Sequence, residues 1–253
     1  MNAATDGIQP AAPAGASGEV LDVPRRLFWV LTAIATIFVV ISGVLYVIWV
    51  LTGFDASPIN ELYHIFDVAG EFNGGSWMAG VLWVLLAVAT AWVAVHTRVR
   101  RLAWLLFAAV ALMASLDEIA MLHERLWRLG AAIGNYLPFD PFSYRWVIAG
   151  LLIAVIVVLL LLPLMFSLPR RVFVGYLIAG FVFLLGAVGF ETIGGYVEQY
   201  FDGQGTWHLK LLMHIEEWLE MIGVVIAIAN TMTMLRWRRI PDGIQTEFAG
   251  YRR

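Results

Sequence analysis

Residues 146–167 read WVIAGLLIAVIVVLLLLPLMFS, a run with no charged side chain. At a helical rise of about 1.5 Å per residue it reaches about 33 Å, enough to cross a hydrocarbon core of roughly 30 Å. Working outward from it, five further long apolar segments appear at about 27–52, 75–96, 102–126, 172–198 and 208–235. The fold expected is all-α, a polytopic six-helix transmembrane bundle. Composition agrees: 61% of the 253 residues are hydrophobic and 14% charged, against roughly 45–50% and about 25% in a soluble domain. Spans and short loops use up the chain, so any function is built into the bundle itself. Residues 1–24, rich in Ala, Gly and Pro, read as a disordered tail, 25–239 as the membrane domain and 240–253 as a second tail. With no cysteine in the chain, disulfides, iron–sulfur clusters, thiolate zinc sites and cysteine nucleophiles are excluded. Nothing in the sequence points to nucleic acid.

Orientation follows from the basic residues. Arg25, Arg26, Arg98, Arg100, Arg101, Arg170, Arg171, Arg236, Arg238, Arg239, Arg252 and Arg253 fall on one side of a six-span chain, and only Arg125, Arg128, Arg145 and Lys210 on the other. The positive-inside rule puts both termini in the cytoplasm, and the setting expected is a bacterial plasma membrane. Tryptophans at span ends, Trp29, Trp49, Trp77, Trp127, Trp146, Trp207 and Trp237, suit the headgroup level. Trp83 and Trp218 lie deeper and read as packing or lipid-facing residues.

The sixth segment and the second half of the third are the least apolar, and the fifth also carries acids. The third carries Ser115-Leu-Asp117-Glu118 followed by His123-Glu124-Arg125, the fifth Glu191 and Glu198, and the sixth His214-Ile-Glu216-Glu217-Trp-Leu-Glu220. Counted from the outer span ends, Glu118, Glu191 and Glu217 all lie about 10–12 Å deep. One Asp at a span centre costs roughly 2.5–3.5 kcal/mol on an insertion scale. These groups must therefore face the bundle interior. His214, Glu217 and Glu220 form an i, i+3, i+6 stripe. On the third span, read as one helix to 126, Asp117 and Glu124 are nearly eclipsed while Glu118 and His123 diverge, so Asp117, Glu118 and either His123 or Glu124 are the favoured members.

Clustered carboxylates need a metal ion, bound protons or basic partners. The metal reading takes Asp117, Glu118, His123, Glu191, His214, Glu217 and Glu220 as ligands for iron, manganese or zinc, with Glu118 and Glu217 catalytic. The sequence departs from the Glu-x-x-His pattern of two-metal bundles: it has His214-x-x-Glu217 in reverse order, and its one Glu-x-x-His is Glu61-Leu-Tyr-His64 in the first outer loop. There His64, Asp67 and Glu71 have helical spacing and read as a solvated interfacial helix. The basic partners on offer, Arg125, Arg128, Arg145 and Lys210, all lie near the outer boundary.

SLDEIAMLHERL and HIEEWLEMIG resemble the motifs of uncharacterised bacterial multi-pass membrane proteins that carry SLDE…HE in one helix and EExxE in the last. The resemblance covers Ser115, Asp117, Glu118, His123, Glu124, Glu216, Glu217 and Glu220, about a fifth of the chain counted as whole helices, and implies no activity. The membrane ceramidase and adiponectin-receptor-like hydrolases need a His-x-x-x-His that this chain lacks.

Three functions fit these observations. The first is a metal-dependent enzyme acting on a lipid or lipid-linked substrate from the outer leaflet. The second is a proton- or cation-coupled transporter or channel, although the inner halves of the spans are nearly devoid of polar groups. The third is a structural subunit of a membrane complex. The lipid bilayer is the one partner that all three require.

Overall fold

A computed structural model describes residues 19–53, 57–136, 145–200 and 206–251. Residues 1–18 of the expected N-terminal tail lie outside the described residues. Helix α1 (Val23–Leu51) begins where the Asp22 carboxylate accepts the Arg25 N–H at 3.2 Å, with Pro24 in the first turn, where a missing N–H leaves no hydrogen bond unmade. A short α2 (Ser57–Phe66) precedes α3 (Gly74–His96), whose first turn is capped by Asn73 Oδ1 accepting the Gly75 and Ser76 N–H groups. Then come α4 (Arg101–Ala120), a 3-10 turn (Glu124–Leu126), α5 (Trp127–Gly134) and α6 (Trp146–Met165). Helix α7 (Arg170–Leu184) passes through a π-helical stretch, Leu185–Phe190, into α8 (Glu191–Tyr200). The last helix, α9 (Trp207–Met232), is capped by the Thr206 hydroxyl accepting the Leu209 N–H.

Five helical stretches are long and apolar enough to cross a membrane: α1, α3, α4, α6 and the continuous Arg170–Gln199. In the apolar window of α3, 56% of residues are buried, against 11–22% in the other four. Helix α3 is thus a core helix and the others turn apolar surface outward. Helix α9 has the length to cross but carries Lys210, Glu216, Glu217 and Glu220 between its start and its middle turn, and for that reason stands apart from the five. Its second half is core. Met221 and Val225 of α9, Leu82, Leu86 and Val93 of α3, and Trp104 and Ala111 of α4 are all 1% exposed or less.

At one end of the bundle β1 (Glu19–Val20), β2 (Leu235–Ile240) and β3 (Gly243–Phe248) form an antiparallel sheet in the order β1-β2-β3, with Val20 opposite Arg238 and Leu235 opposite Phe248. The segments expected to be tails are therefore structured at 19–24 and 240–251, and the sixth helix stops before Leu235, which opens a strand. Tyr251 ties the hairpin to the helices: its hydroxyl donates to the Val99 carbonyl (2.6 Å) and accepts the Trp104 indole N–H (3.1 Å). Because β1 pairs with β2, the start of α1 and the end of α9 leave the bundle at the same end.

Candidate functional site

The opposite end holds the polar residues. Helix α4 stops at Ala120, not at 126, because Asp117 gathers the chain back onto itself. Met121 takes a left-handed conformation (φ 50°) with its N–H on the Asp117 carbonyl. The Asp117 carboxylate then accepts the His123 backbone N–H at 2.7 Å and meets His123 Nδ1 at 2.9 Å. His123 and Glu124 thus sit off the helix, and the eclipsed geometry expected of Asp117 and Glu124 does not form. Burial alone would pull His123 down, but the hydrogen bond and charge of Asp117 outweigh it, and its pKa lies above the ordinary histidine value. One residue on, and so about 100° around the helix, Glu118 accepts the Trp83 indole N–H at 3.1 Å. Trp83 is a partner of the acid rather than a packing residue only.

On α9, His214 is already committed. Its Nδ1 lies 2.7 Å from the Lys210 carbonyl, which can only accept, so Nδ1 carries the proton. Nε2 lies 2.9 Å from the Ser42 hydroxyl of α1, which also accepts the Val68 N–H. With both ring nitrogens engaged, His214 locks α1, α9 and the loop after α2 together, and it has no lone pair free for the metal role expected of it. Lys210, one turn earlier, donates to Asp67 at 3.1 Å and stands 5.9 Å from the Tyr63 ring centroid. Helix α2 ends at Phe66, so Asp67 is not on a solvated interfacial helix; it is 6% exposed and also receives the Ala69 N–H. Burial pushes the Tyr63 phenol up, and its hydrogen bond to Asp67 adds to the shift. Sequence reasoning missed Ser42 and Tyr63 and left Lys210 at the boundary. One signal was available: Lys210 is the only lysine in a chain that otherwise uses arginine.

The remaining acids interact with each other. The electrostatic neighbours of Glu217 are Glu118, Glu71, Glu191 and Asp67, and those of Glu220 are Glu217, Glu118, Glu191 and Asp117. Glu191 is the acid that acts most strongly on Glu216. The π-helical stretch delivers Glu191 to this place. A Cβ on Gly186 would stand 2.7 Å from the Glu216 carbonyl and 2.9 Å from Glu220 Cγ, so only glycine allows that approach. Glu71, from the loop before α3, accepts the Ser76 hydroxyl at 3.4 Å. Burial, then the charge of Glu124, raises its pKa. Among the described residues no group of three or more His, Asp or Glu is placed to hold a metal ion. The seven expected ligands thus divide into the Asp117–His123 pair, the His214 network and the linked glutamates.

An apolar helical bundle with its acids gathered at one end defines a multi-pass membrane protein. More particularly, the chain belongs to the family described as Domain of unknown function (DUF8692), whose model matches residues 26–235. That match takes in every helix of the bundle and stops where β2 begins. No curated protein and no solved structure matches the chain.

Proposed function

We propose that the protein is a six-span protein of the bacterial plasma membrane in which Glu118, Glu216, Glu217 and Glu220 take up and release protons from the outer side, coupling them to movement of a solute. The observation that carries this reading is charge balance. The named neighbours of Glu217 and Glu220 are all acidic, while Lys210 is held by Asp67 and His123 by Asp117. Carboxylates in a medium of low dielectric without cations are neutralised by protons. Ionisable residues within a bundle characteristically serve as proton relays.

The crossing number and a route support the same reading. Pairing of β1 with β2 calls for an even number of crossings, which the five apolar stretches and α9 supply together. Below the glutamates the α7–α9 seam carries the Tyr176 hydroxyl 2.7 Å from Thr231 Oγ1, and Asn230 Nδ2 donating to the Val172 carbonyl at 2.8 Å. Gly186 and Gly223 let α9 pack tightly against this stretch. Small-residue seams of this kind permit one helix to rock against another.

Two measurements on proteoliposomes test the proposal. Infrared spectra at neutral pH are expected to show a protonated-carboxyl band that weakens in Glu217→Gln, and a pH-sensitive dye to report proton movement that the same substitution abolishes. Absence of the band in the unaltered protein overturns the reading. Stoichiometric iron, manganese or zinc in the purified protein, with stability lost on chelation, would favour the metal-dependent enzyme in its place.

A further inference from the structure

The sheet end of the molecule contains a cavity of about 610 Å³ between β1, the start of α1 and β2, within the range of about 300–1,000 Å³ usual for small-molecule sites. Arg236 and Arg238 line it. They are two residues apart on one strand and so project from the same face, while Arg239 projects from the other and meets Glu19 at 3.8 Å. Neither Arg236 nor Arg238 has an ion pair among the described residues. The nearby acids are otherwise engaged. Asp22, which also lines the cavity, caps α1 through the Arg25 N–H, and Glu247, opposite Arg236 in the sheet, is held by Gln245 Nε2 at 2.9 Å.

The rest of the wall is mostly apolar, made by Val20, Leu21, Pro24, Leu235 and Trp237, with Thr233 adding one hydroxyl. Val20 is 73% exposed. The wall is made from the residues just outside Val23, where an apolar membrane-length helix begins, and just after Met232, where α9 ends. Two guanidinium groups without an ion pair among the described residues, beside a mostly apolar wall at the depth where a helix leaves the hydrocarbon, match a molecule with a phosphate at one end and acyl chains at the other. Guanidinium forks bind phosphate oxygens in bidentate fashion.

We propose that this cavity binds the headgroup of one anionic phospholipid, its phosphate on Arg236 and Arg238 and its glycerol end against Val20 and Pro24. The proposal rests on the membrane reading of α1 but not on any role of the glutamates at the other end. Native mass spectrometry of the full chain in detergent, with phosphatidylglycerol or phosphatidylcholine added, tests it. The unaltered protein is expected to retain phosphatidylglycerol in preference, and Arg236→Gln/Arg238→Gln to lose about thirtyfold in affinity, as removal of two surface cations at about 1 kcal/mol each implies. Arg236→Lys/Arg238→Lys is expected to keep only part of the preference, since an ammonium supplies the charge without the bidentate fork, and Arg98→Gln/Arg101→Gln, elsewhere on the same basic rim, all of it. Equal retention of the two lipids by the unaltered protein overturns the proposal without recourse to any variant. So does displacement of phosphatidylglycerol by an equal concentration of inorganic phosphate, which would mark a site for the free anion.

Discussion

The two ends of the bundle solve opposite problems. At the acidic end, charged groups penetrate the helices: some are held in pairs, Asp117 with His123, Asp67 with Lys210 and Glu118 with Trp83, and the other glutamates neighbour one another. At the sheet end the helices carry charge only at their tips, the hydroxyls and amide of Tyr176, Thr231 and Asn230 are paired within the α7–α9 seam, and the arginines stay outside. One end carries its charge among the helices and the other at their tips. The difference teaches that acid placement in this chain follows interior partners, while arginine placement follows the membrane surface.

Substitutions at the acidic end should be far more costly than those at the other, and the largest loss is expected at the buried ion pair. Asp67→Ala leaves Lys210 uncompensated at a site where Asp67 is 6% exposed, and should cost about 3 kcal/mol in unfolding measurements in detergent. Lys210→Met added to Asp67→Ala should restore part of that loss, and an unchanged loss would mean that Asp67 acts through its backbone contacts instead. Next comes Gly186→Ala, which drives a methyl group into α9 and should cost about 2 kcal/mol. Gly180→Ala has nothing within 4 Å to meet and should gain about 0.5–1 kcal/mol from helix propensity. Equal effects at the two glycines would erase the contrast between seam and lipid face. Trp83→Phe removes the indole donor from Glu118 and should cost about 1.5 kcal/mol, with a matching change in the protonated-carboxyl infrared band.

The smallest effect is one of pH. Glu71 has a folded pKa above its ordinary 4.5, so the folded protein binds that proton more tightly and loses stability as pH rises from 4.5 upward. His123 has a folded pKa above 6.5, so its contribution is full below 6.5 and lost as pH rises through the folded value. Both slopes have the same sign, and melting temperature should fall from acid to neutral and again above it. Glu71→Gln should flatten the first part and His123→Gln the second. Because Glu71 as a whole residue stays in contact with water while its carboxyl is only partly shielded, solvent screens its share and the first slope is shallow. A rise in melting temperature over the same range would contradict both assignments.

Hydropathy made the helices legible because apolar length is a local property. The acids gathered at one end were legible for a related reason: span counting gives depth, and depth alone set Glu118, Glu191 and Glu217 together. What each acid touches was not legible. The break after Ala120 depends on a single side chain, Asp117, binding a backbone six residues on, and an unbroken 3.6-residue period gives no sign of it. The seat of Asp67 depends on Lys210, 143 residues away. The hairpin is a different case. Ile240-Pro-Asp-Gly243 is a turn signature between two short strands, and hydropathy passes over it because the strands are too polar to register.

The π-helical stretch at 185–190 has one more consequence. A wider turn delays the helix by about one residue, which is about 100° of rotation. Everything beyond it on α8, Glu191 included, is thus turned relative to α7 like a screw re-threaded part of a turn late. The direction in which that glutamate points is decided upstream, in Leu-Gly-Ala-Val-Gly-Phe, a run with no ionisable side chain of its own.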